Sequence, residues 1–332
     1  MLLASPAAGH CVTHLTTLQA VVVGFVQGIT ELFPVSSLGH SVLIPELFGW
    51  HDLVKSQNCP ESFWLAFIVA LHVANAFALL LFFSKDWVRI IKGFFTSLAK
   101  RKAETSAERL AWLIILATIP VGIVGLALEH TVRTLLAKPT AAAAFLAVNG
   151  VILLFGHRLR SGSKREATKV QDSDAGHVDA RRGAAGPAGA TVGLTAGDTA
   201  ISAGLARMPF RDALGIGVVQ CFALIAGISR DGITMVAGLV RGLDYEDAAK
   251  FAFLLSTPPI LAAGLLKIGD LTGPLGNGIR GQIIAGAVVT FLASLFAVRF
   301  LTRFFQHRTL RPFGIYCIAF GLFMVAFVSL GG

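Results

Sequence analysis

Seven stretches of this chain contain no Asp, Glu, Lys or Arg: 63–84, 110–128, 140–157, 213–229, 251–266, 281–298 and 312–332. Several reach the ~20 residues that an α-helix needs to cross about 30 Å of hydrocarbon. A soluble fold can hide one such block in its core, but hardly seven. Helices are expected because they satisfy their own backbone polar groups inside lipid. Only 14% of the 332 residues are charged and 55% are hydrophobic, against about 25% charged in an ordinary soluble domain. The chain is therefore expected to be an all-α integral membrane protein, one multi-spanning helical bundle over residues 1–332.

The net charge of +9 invites a nucleic-acid reading, but its distribution opposes it. Seven of the 28 Lys and Arg lie in 85–109, seven in 158–182 and four in 299–311, each cluster beside an apolar block. That is how cytoplasmic loops look under the positive-inside rule. No nucleic-acid partner is expected. With these clusters inside, the loops at 46–62, 129–139 and 267–280 fall outside, where they hold five basic residues against 22 on the inner side. The N-terminus has no Lys or Arg before Lys55 and so lacks the basic region of a signal peptide. The four cysteines show no metal-site spacing, although Cys11 and Cys59 could share the outer side.

Two regions are too short to be simple spans. Only 32–45 is apolar between Glu31 and Glu46, and it contains Pro34; only 232–240 remains between Asp231 and Arg241. Nine helical residues cover about 14 Å, half a bilayer. Both regions read as re-entrant helical hairpins with tips at depth, which is tolerated where protein or a cavity surrounds them. Around them the sequence repeats. G-F-V-Q-G-I-T-E-L-F-P-V-S-S (24–37) aligns with G-V-V-Q-C-F-A-L-I-A-G-I-S-R (217–230), matching Gly24 with Gly217, Gln27 with Gln220 and Ser36 with Ser229. A-T-I-P-V (117–121) is echoed by S-T-P-P-I (256–260). The topology gives the two hairpins opposite senses, so the halves (about 15–157 and 205–332) read as inverted-topology repeats with a midplane site. Between them 158–199 mixes charges with Ser, Gly and Ala without apolar periodicity, and reads as a flexible cytoplasmic insertion.

Ionisable groups inside apolar sequence are functional hypotheses by default. Gln27 and Glu31, four apart, share one helix face. Ser36, Ser37 and His40 follow the break at Pro34, and the second hairpin offers Ser229, Arg230, Asp231 and Thr234. If the tips meet, one cavity holds a carboxylate, an imidazole, several hydroxyls and a guanidinium. The guanidinium can fork onto phosphate oxygens, while hydroxyls and loop N–H groups bind others. A neutral His40 could take a proton from Ser37 and make it a nucleophile on phosphorus. Glu31 could orient the imidazole, hold a divalent cation or accept the proton itself. The plainer reading makes Glu31 and Arg230 an ion pair that fastens two helices. His72 and Asn75 in L-H-V-A-N read as inter-helix hydrogen bonds.

These residues resemble a known family. G-F-V-Q-G-I-T-E-L-F-P-V-S-S-L-G-H (24–40) resembles the [E/Q]-x-x-x-E and P-V-S-S-x-G-H signatures of the undecaprenyl-diphosphate phosphatases of the bacitracin-resistance type. A-G-I-S-R-D-G-I-T (226–234) is similar to that family's P-G-x-S-R-S-G-x-T, and F-A-F-L-L-S-T-P (251–258) to a downstream segment. The resemblance implies an enzyme of the bacterial plasma membrane that converts undecaprenyl diphosphate to the monophosphate, recycling the carrier lipid for cell-wall synthesis. It implies an active site open to the outer side. Glu31, Ser37, His40 and Arg230 fall on catalytic positions, and Gln27, Ser36, Ser229 and Thr234 on substrate-binding ones. A divalent cation, Mg²⁺ or Ca²⁺, is expected near Glu31 or Asp231, because cations neutralise a diphosphate and polarise phosphorus. Ala226, Asp231 and Leu38 depart from the family's Pro, Ser and Thr. The substrate partner would be a polyprenyl diphosphate among membrane lipids, and homo-oligomerisation is left open. The competing function is a transporter that flips polyprenyl phosphate through the same midplane site. A third reading, an acid-phosphatase-like lipid phosphatase, fails because no His follows Arg230 at the distance that its motif requires.

Overall fold

A computed structural model describes residues 15–56, 63–136, 138–175, 203–266 and 278–331. Cys11 and Cys59 lie outside the described residues. All regular structure among the described residues is helical. Among the described residues, five helices are long and apolar enough to cross a membrane: α6 (Ser106–Leu136), α7 (Pro139–Ala175), α11 (Tyr245–Leu266), α12 (Arg280–His307) and α13 (Arg311–Ser329). The bent pair α4 (Phe63–Phe82) and α5 (Ser84–Lys100) would make a sixth span. The protein is a multi-pass helical membrane protein.

The short helices are the ones that position the site. α1 (Thr17–Thr30) starts from a reciprocal capping box in which Thr16 Oγ1 accepts from Gln19 N–H and Gln19 Oε1 accepts from Thr16 N–H. It stops beside Glu31, and α2 (Ser37–Leu47) packs back against it across an irregular tip. α9 (Phe210–Gln220), one turn of 3₁₀ helix at Cys221–Leu224 and α10 (Arg230–Val240) form the second such pair. Short helices α3 (His51–Ser56) and α8 (Ala203–Arg207) complete the set.

Small residues set the main seams. A Cβ added at Gly24 would sit 2.6 Å from the carbonyl oxygen of Gly286 in α12, and one at Gly28 would sit 2.6 Å from that of Thr290. α1 therefore lies almost backbone to backbone on α12, the packing that small-xxx-small patterns permit in membranes. Thr290 Oγ1 donates to the Gly24 carbonyl at 2.8 Å across this seam. Gly217, aligned with Gly24 in the sequence repeat, presses α9 onto Ala117 of α6 in the same way. These seams make α6 and α12 counterparts, so the A-T-I-P-V and S-T-P-P-I likeness falls on helices in different places, α6 and α11. α7 and α13 form the most extensive helix pair, with Gly150 and Gly321 at the contact.

Two segments differ from their loop-like reading. Residues 85–100 form α5, bent 86° from the preceding helix. Its signal was present: Val88, Ile91, Phe95 and Leu98 recur at helical spacing among the basic residues. α7 continues through Ala175, well into the stretch expected as insertion, and 176–199 lie outside the described residues.

Candidate active site

The two tips meet. Glu31 is buried at the end of α1, and its carboxylate has four partners. Oε2 accepts from Gln27 Nε2 at 3.0 Å and from Ser37 Oγ at 2.5 Å, and lies 3.2 Å from His72 Nε2. Oε1 pairs with Arg230 Nη2, 199 residues along the chain. Gln27, Glu31, Ser37 and Arg230 are thus brought together as expected, and His72 of α4 joins them. His72 does make an inter-helix contact, but its partner is the central carboxylate. Its Nδ1 faces the Ile68 carbonyl at 2.8 Å. With Glu31 ionised both partners are acceptors, and the ring then donates from both nitrogens as imidazolium. One carboxylate then sits between two cations.

Local backbone explains why the tip can do this. Pro34 and Ser36 break the helical ladder, and Ser36 adopts φ 66°, a strained value for a residue with a side chain. Its hydroxyl caps α2 by accepting from Gly39 N–H at 3.2 Å and also accepts from Gly227 N–H of the other tip at 3.2 Å. Ser229, aligned with Ser36 in the repeat, caps α10 by accepting from Gly232 N–H at 3.1 Å. Each hydroxyl keeps its own proton to donate. Gly227 holds φ +104°, and a Cβ there would run into α7 at Ala142 and Leu146; only glycine fits. α2 and α10 therefore point their N-termini at the junction, with Ser37 and Arg230 as their first residues. Helix N-termini offer unpaired N–H groups and positive dipole ends to anions.

His40 is placed differently from the Ser37–base reading. Its Nδ1 faces the Ser36 carbonyl at 2.7 Å and its Nε2 faces the Tyr316 hydroxyl of α13 at 2.8 Å. The carbonyl can only accept, so Nδ1 carries the proton and Nε2 accepts from Tyr316. The ring also stacks on Tyr316 and Phe320, with centroids 5.8 and 5.4 Å away. Both ring nitrogens are engaged away from Ser37, whose hydroxyl faces Glu31 instead. Val26, Gln27, His40 and Ile44 line a narrow crevice between α1 and α2.

Asp231 does not touch Glu31. It is buried on α10, where its Oδ1 accepts from Ser256 of α11 at 2.5 Å. Its Oδ2, Thr234 Oγ1, Gln27 Oε1 and Arg230 Nε are buried without a hydrogen-bond partner among the described residues. Among the departures from the family pattern, Ala226 is buried at the second tip and Leu38 packs against the main core.

The sequence reading missed Asn149. It sits buried midway along the Pro139–Arg160 part of α7, where Nδ2 donates to the Pro34 carbonyl at 3.0 Å and Oδ1 accepts from Ser229 N–H at 3.0 Å. One side chain thus ties both tips to a spanning helix. Its signal was a lone amide in the charge-free block 140–157. Asn75, read as an inter-helix bond, does accept from Ser294 of α12.

Residues 20–323 match the family described as bacitracin resistance protein BacA. The chain belongs to that family. An undecaprenyl-diphosphatase 2 of Frankia alni is 55% identical, covering 93% of this chain and 96% of that protein. An undecaprenyl-diphosphatase of Mycolicibacterium paratuberculosis is 54% identical over the same shares. One from Chromobacterium violaceum is 38% identical, covering 93% of this chain and 97% of its own. The BacA family match runs from α1 through the Tyr316–His40 contact on α13, so it includes every group placed at the tips.

Proposed function

We propose that this BacA-family protein hydrolyses undecaprenyl diphosphate to undecaprenyl phosphate and inorganic phosphate, recycling the carrier lipid for cell-wall synthesis. The observation that carries the reading is the Ser37–Glu31–Arg230 junction, built where two helix N-termini meet inside a membrane bundle. Arg230, His72 and two N-terminal dipoles bring positive charge to the junction for a diphosphate, set against the carboxylates of Glu31 and of Asp231 in the first turn of α10.

The geometry favours Ser37 as nucleophile and Glu31 as its base. Ser37 Oγ attacks the terminal phosphorus while its proton passes to Glu31 Oε2, 2.5 Å away. The bond from that phosphorus to the bridging oxygen breaks, and undecaprenyl phosphate leaves. Water then attacks the phosphoserine, restores Ser37 and releases phosphate. Arg230 releases Glu31 in part and forks onto the phosphoryl oxygens, where charge develops. Ser36 and Ser229 donate their remaining hydroxyl protons to the same group. His40 acts through Tyr316 to hold the start of α2 rather than as the base.

Oxygen ligands suit a hard divalent cation, and Gln27 Oε1 and Asp231 Oδ2 are buried without a hydrogen-bond partner among the described residues. No group of three His, Cys, Asp or Glu side chains that could hold a metal occurs among the described residues, so a cation held by either oxygen would take most of its ligands from the diphosphate. Bound there, the cation would neutralise diphosphate charge. On the inverted-repeat reading the two tips enter from opposite faces, and we place the opening of the site on the outer side of the bacterial plasma membrane, away from the basic loops.

The test is phosphate release from C55 diphosphate by purified protein and by Arg230→Ala. We expect a loss of about 10²–10³-fold, the size seen when a preorganised charge-stabilising group is removed. Equal rates would defeat the mechanism.

A further inference from the structure

The basic end of the molecule holds a cavity separate from the tips. The last turns of α5, the start of α6 and the first residue of α9 line an open groove of about 450 Å³, within the size range of small-molecule sites. Leu98, Trp112, Leu116 and Phe210 form apolar walls, and Arg101 and Lys102 form the rim. Trp112 is fixed there, because its Nε1 donates to Ser97 Oγ at 2.9 Å.

The surrounding charges are mostly committed. Lys100 pairs with Glu108 at 3.5 Å. Arg109 donates to the carbonyls of Ala206 and Met208 and lies 5.1 Å over the Phe210 ring. Asp212 pairs with Arg241 and Arg211. Arg101 and Lys102 are exposed and form no ion pair among the described residues.

The helix that leads to this cavity is itself amphipathic. Val88, Ile91, Phe95 and Leu98 are each at least 50% exposed along one stripe of α5, with Lys85, Arg89 and Lys92 beside it. Because α5 turns 86° from α4, a spanning α4 lays α5 in the plane of the membrane interface. Such a helix sinks its apolar stripe into the acyl boundary and leaves its cations at headgroup level.

We propose that this cavity is a binding site for an anionic phospholipid of the leaflet that the basic loops face. One acyl chain lies on the wall of Leu98, Trp112, Leu116 and Phe210, and the phosphate sits between Arg101 and Lys102. Apolar walls alone would accept any lipid. The two uncommitted cations select the negative headgroup, worth on the order of tenfold or more over a zwitterionic one. The site is independent of the hydrolytic reading.

Tryptophan quenching tests it on the full chain in phosphatidylcholine bilayers. Trp112 emission is isolated as the difference between the protein and Trp112→Phe. Dilute phosphatidylglycerol brominated on its acyl chain should quench it several-fold more than equally dilute brominated phosphatidylcholine. Arg101→Gln with Lys102→Gln should abolish that preference while phosphate release is retained. High salt should weaken it in the unsubstituted protein, a reading that no folding defect can produce. Equal quenching by the two lipids, or a preference that survives both high salt and the double substitution, overturns the site.

Discussion

At the scale of single residues, the chemistry turns on what each polar atom can give or take. Ser37 Oγ and Glu31 Oε2 are 2.5 Å apart, whereas His40 is closed between Ser36 and Tyr316. Ser37→Ala and Glu31→Gln should each lower kcat by about 10²–10⁴-fold, and the double substitution should cost little more than either. Steady-state phosphate release measures this, and additive losses would mean that the two act in separate steps. Tyr316→Phe removes only the second anchor of His40, so a loss under about tenfold is expected; a loss matching that of Ser37→Ala would return the base role to His40. Asn149→Ala removes the partner of the buried Ser229 N–H and leaves the Pro34 carbonyl only its long contact with Cys317 Sγ at 3.9 Å. Stranded groups in membrane bundles cost roughly 1–2 kcal/mol. Thermal unfolding in detergent should show the loss, with kcat falling because both tips loosen. The sequence displayed Gln27, Glu31, Ser37 and Arg230 openly, because charged or paired polar groups stand out in apolar blocks. It hid the roles of His72 and Asn149, since an isolated polar residue in a span looks the same whether it fastens two helices or serves a site.

At the scale of helices, the broken elements matter more than the spanning ones. Each tip is stopped by backbone that a regular helix cannot adopt: Ser36 at φ 66° and Gly227 at φ +104°. Gly227→Ala should therefore disrupt the junction, since its Cβ has no room against α7. We expect a loss of activity with the membrane bundle still assembled, read as unchanged helical circular dichroism and abolished phosphate release. Gly24→Leu tests the α1–α12 seam, where backbones nearly touch. Overpacking of this kind costs about 1–3 kcal/mol or more, and it should lower the detergent melting temperature as well as the rate. An unchanged melting temperature would show that the seam yields. α5 shows the opposite limit of legibility. Its basic residues suggested a loop by composition, while its periodicity marked a helix, and the 86° bend from α4 shows only in the structure.

Across the whole molecule, the two halves are held together by contacts rather than by their covalent link. α1 lies on α12, α9 on α6 and α7 on α13, and the Glu31–Arg230 pair joins the halves at the centre. Protease cleavage engineered within 176–199 should then leave the fragments co-purifying and hydrolysing C55 diphosphate at a near-normal rate. Separation of the fragments in mild detergent would show that the link itself supplies cohesion. The sequence by itself determined that the chain is a helical membrane protein, because charge-free blocks of this length have no other stable state in lipid. It also determined which two short segments break the helical pattern and bring phosphate-binding chemistry to their ends. Only the tertiary structure decided which atoms meet. That Ser37 faces Glu31 and not His40, and that His72 joins the carboxylate, depends on how α2 and α4 rotate against α1. That rotation is set by small residues and buried hydrogen bonds between elements far apart in the chain, which no local pattern encodes.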